Sequence, residues 1–292
     1  MSYAQVMQQR ARSARDKARR AEDLLTAAES LALELGGVRY ITLTPVTERA
    51  GLHRTGIRRY YASKEELLLE LAGRGWNQWR DAVKAEAGDR TGLTPAQTAA
   101  VLSKTLASLP VFCDLLTHVP LTLEGDAGIE RARRYKTSSF AAHDEIVAVL
   151  DHASTMTAGQ LTELLPAATA LAAYFWQEAH PTPTLAALYE QVPRWGRNAL
   201  DFGPRLDALL KATAAGLAGA AARERTSRSE ELEIFSRTTC GASLSARRLA
   251  GGARARAQAS RSIGQLMQRG PPRPRPSSLP GTVITSTPLS RR

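Results

Sequence analysis

No part of the 292-residue chain limits its fold as tightly as residues 40–71, YITLTPVTERAGLHRTGIRRYYASKEELLLEL. Gly51 supplies a left-handed backbone between two short apolar-patterned runs, with Val46 and Ala50 facing inward before it and Leu52 and Ile57 after it. Arg54, Thr55, Arg58 and Arg59 are left pointing outward. Thr42 or Thr44 can cap the first run, and Pro45 suits its first turn. Ser63-Lys64-Glu65-Glu66 then reads as a capping box, its hydroxyl and its Glu66 carboxylate each satisfying an orphan amide at the start of a longer helix. Helical pieces this short hold only when packed on their neighbours. The segment therefore belongs inside a helical domain, in the arrangement of a helix-turn-helix: a scaffold helix, a tight turn, and a second helix whose first side chains reach base edges.

The flanking sequence supplies the neighbours. From about Arg10 to Leu35 the positions Leu24, Leu25, Ala28, Leu31, Ala32 and Leu35 follow helical spacing, and Gly36-Gly37 ends the run. A fourth helix, Ser63 to about Ala87, carries the stripe Leu67, Leu68, Leu71, Gly75, Trp79 and Val83. Further helices follow, delimited by Pro95, Pro110, Pro120, Pro166, Pro181, Pro193 and Pro204. Two late stripes, Leu161 to Phe175 and Leu206 to Ala220, are the most regular and are edged with small residues. No strand alternation appears before residue 222. The expectation is an all-α chain: a basic arm over 1–17, a three-helix domain over 18–74, a helical ligand-binding and dimerisation domain over 75–222, and a disordered Arg/Pro/Ser-rich tail over 223–292.

Charge divides the same way. The net +11 is concentrated at the ends: residues 223–292 hold 14 Arg and no Lys against 4 Glu, and residues 1–20 hold six basic side chains against Asp16. Residues 21–222 hold 19 basic and 23 acidic side chains, so the body is no basic slab and any nucleic-acid contact must be local. Two cysteines, Cys113 and Cys240, exclude a disulfide framework, and a reducing cytoplasm fits. The N-terminus lacks the apolar run of a signal peptide and no run reaches the ~20 residues of a membrane span, so no membrane partner is expected.

Ala27-Ala28, Gly36, Thr42/Thr44, Ala50-Gly51, Tyr60-Tyr61 and the S-K-E-x-L-L run from Ser63 to Leu68 together resemble the tetracycline-repressor-like (TetR) family of bacterial regulators over residues 18–74. The resemblance implies a homodimer that binds double-stranded operator DNA of palindromic sequence. Thr42 and Thr44 would bond phosphate, Arg54, Thr55 and Gly56 would approach base edges, Tyr60 would touch the backbone, and Lys64 would meet phosphate. Arg58 and Arg59 complete the surface. Two positions depart from the pattern: Arg58 stands where the family has Tyr, and His53 stands where it has a Ser or Thr cap. The basic residues Arg10 to Arg20 are either a solvated face or an arm along phosphates or a minor groove.

The resemblance also implies a small-molecule effector that releases the DNA. Trp76, Trp79, Phe112, His118, Tyr135, Tyr174 and Trp176 lie on helices that must converge, and they are candidates for an aromatic-lined pocket or, equally, for core. No phosphate loop, nucleophile elbow or HExxH pair is present, the five histidines are dispersed, and neither catalytic residue nor cofactor nor metal is expected. The alternatives are a ligand-independent DNA-binding scaffold and a helical protein-interaction module.

Overall fold

The computed structural model describes residues 3–53, 55–196 and 201–220, all within one compact unit, Met1–Thr226. Arg54, Cys240 and the tail expected over 223–292 lie outside the described residues. Within them the chain is helical and has no strand; one isolated bridge, Leu93 with Ser154, clips two interhelical loops together.

α1 runs from Tyr3 to Leu35, so the segment expected as a basic arm is continuous with the first helix. The reason is local: no Gly or Pro interrupts residues 3–35, and Ala, Leu, Arg and Gln dominate them. The helix stops at Gly36, whose φ of 76° is left-handed, and the Gly37 amide closes the turn on the Ala32 carbonyl at 2.9 Å. A 3-10 turn, Val38–Tyr40, leads to α2, Leu43–Arg49. Gly51 takes φ 65°, and a second 3-10 turn, Gly56–Arg59, precedes α3, Lys64–Ala87. The two short helical pieces expected between Thr42 and Tyr61 are thus present, the second of them wound as a 3-10 turn.

Beyond them lie α4, Pro95–Ala107; α5, Pro110–His118; a π-helical stretch, Val119–Leu123, that runs into the single turn α6, Glu124–Asp126; α7, Ile129–Ala153; α8, Ala158–Ala179; α9, Pro183–Gln191; and α10, residues 202–220. Pro95 and Pro110 begin their helices as expected. Pro120 and Pro166 do not delimit. Pro120 is absorbed by the wider π turn, which accommodates a missing amide. Pro166 stands inside α8, where an interior proline costs about 3 kcal/mol. Leu161, Leu164, Leu165, Ala168 and Ala172 on the same helix are all fully buried, and at about 1.5–3 kcal/mol for each large side chain their burial wins.

Two cores share α3. The first joins Leu24, Leu25, Leu31, Val38, Ile41, Val46, Ile57 and Tyr61 to Leu67, Leu68, Leu69 and Leu71, and it draws Val111, Leu115 and Tyr135 from α5 and α7. The second holds Trp79, Val83, Leu102, Leu106, Phe112, Ile146, Leu150, Leu161, Leu165, Leu206 and Leu210. Trp76 packs against both. At Gly75 the Phe112 ring lies so close that an added Cβ would stand 3.0 Å from the Phe112 Cβ, so glycine there is what lets α5 cross α3.

Candidate nucleic-acid interface and the clefts behind it

The recognition segment is held from below and open above. Ile57 is buried, while Thr55, Arg58 and Arg59 are exposed and Gly56 and Tyr60 are half-buried. His53 is not an idle replacement for a capping hydroxyl: its Nδ1 lies 3.1 Å from Thr55 Oγ1 and accepts from the Thr55 amide at 3.5 Å, while its carbonyl accepts from the Gly56 amide at 2.6 Å. Those contacts wind the chain into the 3-10 turn. The turn ends where the Ile57 carbonyl receives both the Tyr60 and the Tyr61 amides, at 2.8 and 2.9 Å. Arg58 reaches forward to the Ala62 carbonyl at 2.5 Å, and Arg59 stays exposed.

Thr42 is the N-cap of α2 in extended conformation, and its hydroxyl makes no capping bond. Thr42 and Thr44 are both exposed, their hydroxyls available to an outside acceptor. The far end of α2 is fixed by Arg49, which grips Glu34 of α1 bidentately at 2.6 and 2.7 Å. That hydrogen bond holds the Glu34 carboxyl below its ordinary range. Ser63 caps α3, its hydroxyl accepting from the Glu66 amide at 3.2 Å. The Glu66 carboxylate accepts from the Ala62 amide at 2.9 Å, one residue earlier than a strict capping box. Lys64, expected to face phosphate, donates to the Arg39 carbonyl at 2.8 Å, and partial burial lowers its pKa.

Two polar contacts that no local sequence pattern signals tie this head to the helices behind it. The first is Asp114 of α5, almost wholly buried, whose Oδ2 accepts from the Val38 amide at 2.7 Å and whose Oδ1 accepts from Gln177 of α8 at 2.8 Å. Burial pushes the Asp114 carboxyl up, but the neighbouring His118 imidazole and the bonds from Val38 and Gln177 outweigh it, and its pKa lies below the ordinary value. The second is Arg131 near the start of α7. It donates to the Tyr60 carbonyl, lies 4.9 Å from the Tyr61 ring centre, and is held by Glu70 and by Glu66 at 3.6 Å.

The aromatic residues do not converge on one pocket. Trp79 and Phe112 are buried core, with the Trp79 indole donating to the Thr105 hydroxyl at 3.0 Å. Trp76 donates to the Tyr135 hydroxyl at 3.1 Å, and the pair lines a cavity of about 240 Å³ with Leu116 and Phe140. The Tyr135 phenol is pushed up to about 12, chiefly by burial. Trp176 stacks on His180 at 3.8 Å and borders a cavity of about 180 Å³ with Asp114 and Gly37. Tyr174 is exposed beside a groove of about 510 Å³. His118 lines none of these; its Nε2 stands 3.7 Å from the Asp114 carboxylate. Among the described residues no cluster of His, Cys, Asp and Glu has metal-binding geometry, and no single helix is long and apolar enough to cross a membrane.

Residues 74–221 match the family model described as the tetracyclin repressor-like, C-terminal domain. Thirteen solved chains match significantly, and three of them follow. One, assigned as a TetR-family transcriptional regulator from Mesorhizobium loti, shares 13% identity with a TM-score of 0.40 over 70% of this chain and 97% of that one. Another, assigned as a transcriptional regulator from Streptomyces coelicolor A3(2), shares 18%, TM-score 0.39, over 68% and 97%. The transcriptional regulator FadR from Bacillus subtilis, in complex with stearoyl-CoA, shares 16%, TM-score 0.36, over 67% and 96%. No curated protein sequence matches the chain significantly.

Proposed function

The chain belongs to the tetracycline repressor-like family, and from that premise we propose that it is a homodimeric repressor that binds a palindromic operator and is released by a small molecule. The observation that carries the reading is the recognition segment. Ile57 and Tyr61 bury it against α1 and α3, while Thr42, Thr44, Thr55, Arg58 and Arg59 are left unburied around the Gly51 turn. A surface of hydroxyls and guanidinium groups on a rigid base is what phosphate positioning and base-edge reading require. Arg54 and Gly56 would approach bases, and Tyr60 would support the backbone contact; Lys64, committed to the Arg39 carbonyl, would act by fixing the turn and only secondarily on phosphate.

Dimerisation would use α8 and α10, which carry small exposed residues: Ala170 on one, and Ala208, Ala212, Ala215 and Gly216 on the other. Two-fold pairing there would set the two heads about one DNA turn apart. Ala212→Arg should give monomers in light scattering.

The test is selection from random duplexes followed by titration of the enriched sequence. Arg54→Ala should weaken operator binding by about 1–3 kcal/mol and relax base preference, whereas Arg59→Ala should weaken all duplexes alike and flatten the salt slope by about one unit. A protein that enriches no sequence refutes the reading. One observation favours a second reading, a scaffold indifferent to ligands: Trp79 and Phe112 fill the interior where an effector would otherwise sit. A metabolite screen read by operator release separates the two.

A further inference from the structure

A cleft of about 730 Å³, larger than the three described above, opens between α1, α3 and α7. That volume suits a small molecule. The buried Leu25 and Leu69 form its floor, Ala141 and the alkyl stems of Arg74, Arg131 and Arg134 give it apolar surface, and the guanidinium groups of those arginines give it cations. Each acid in its lining is already engaged: Glu22 faces Arg74 at 3.1 Å, Glu70 holds Arg131, and Asp81 lies 2.8 Å from Arg80. Arg134 is exposed and has no carboxylate within ion-pair distance among the described residues. The charge left over in the cleft is positive.

Arg131 belongs to this cleft and to the head at once. The same guanidinium that lines the cleft bonds the carbonyl of Tyr60 and lies over the ring of Tyr61. An anion beside it competes for those donors, and a guanidinium bond to a full negative charge is stronger than one to a neutral carbonyl. We propose that the cleft is an effector site for an amphipathic anion, a carboxylate or phosphate monoester on a short apolar chain, whose occupancy Arg131 passes to the recognition turn. The site stands on the cleft alone; the passage to the turn rests on the DNA-binding reading above. The chain of the ligand lies along Ala141 and the arginine stems, its head sits between Arg131 and Arg134, and Tyr60 loses its tether. The effect on DNA equals the difference in the ligand's affinity for the tethered and released states.

The experiment uses the full chain with octanoate and octyl phosphate as probes, 1-octanol for the chain without charge and acetate for the charge without chain. Calorimetry reads binding, and an operator taken from selection reads release. Octanoate or octyl phosphate should bind and raise the melting midpoint while 1-octanol and acetate do neither; whichever anion binds more tightly assigns the head group. Arg134→Glu should weaken that binding severalfold, and Ala141→Trp, which fills the cleft, should abolish it. Arg131→Gln should bind operator at the weakened affinity of the anion-bound wild type, and the anion should no longer change it. Absence of binding by both anions, or binding unaltered in Arg134→Glu and Ala141→Trp, overturns the site even if the protein holds operator. Binding without release overturns the role of Arg131. A protein that selects no DNA sequence overturns the DNA reading and that role, while calorimetry still decides the site.

Discussion

The two ends of α3 sit in cores of different character. Around Trp79 the core is aromatic and self-sufficient: Trp76, Trp79 and Phe112 have ring centres 5.4 to 6.2 Å apart, and long helices α7 and α8 wrap them with aliphatic side chains. Around Leu67 the core is mostly aliphatic, and α2 and the two 3-10 turns that it holds beside α1 are too short to stand alone. The head makes up the deficit with polar ties to its neighbours, from Asp114 to the Val38 amide and from Arg131 to the Tyr60 carbonyl. Hydrophobic packing is non-directional, whereas a hydrogen bond fixes both distance and angle. A head held by such ties is placed by the helices behind it.

The sharpest way to break the contrast is Trp79→Ala. Removing a fully buried indole should cost about 3–5 kcal/mol in urea unfolding. If the self-sufficient core is the one that governs cooperativity, helix content and head order should be lost together. A head that melts separately at lower urea would show the two cores to be more independent than their shared helix implies.

Next in size is Asp114→Ala, which strands the buried Val38 amide and should cost about 1–3 kcal/mol. Hydrogen exchange at Val38 should accelerate far more than at Trp79, because the tie serves the head. Equal acceleration at both would mean that Asp114 supports the whole fold. The same carboxyl gives a pH test. Its folded pKa lies below that of the unfolded chain, so its contribution is present above the ordinary carboxylate range and lost as pH falls through the folded value. Wild-type stability should therefore drop more steeply than that of Asp114→Asn below about pH 4.

The smallest effect expected is that of Ser63→Ala, about 1 kcal/mol for a lost helix cap. Since Ser63 sits in the head, the loss should appear as fraying of the first turn of α3 in hydrogen exchange, with the Trp79 region unchanged.

Local chemistry determined what the sequence could reveal alone. Gly36 and Gly51 take the left-handed backbone their positions demanded, Ser63 caps α3, and the apolar spacing of Leu24 to Ala32 and of Leu161 to Ala172 marks buried faces, because each depends on residues within a few positions of one another. Even there the competition between local terms could mislead: Pro166 reads as a helix boundary, and only the depth of burial around it shows that α8 continues. Tertiary structure alone decided the rest. That Trp79 and Phe112 are core while Trp76 and Tyr135 border a cavity depends on where α5 crosses α3 over Gly75. The ties from Asp114 to Val38 and from Arg131 to Tyr60 span 76 and 71 positions of chain, and an isolated Asp or Arg carries no mark of its distant partner. Periodicity records which side of a helix is dry; it holds no information on which charged group from elsewhere will satisfy a buried amide, because that is fixed by how the helices pack.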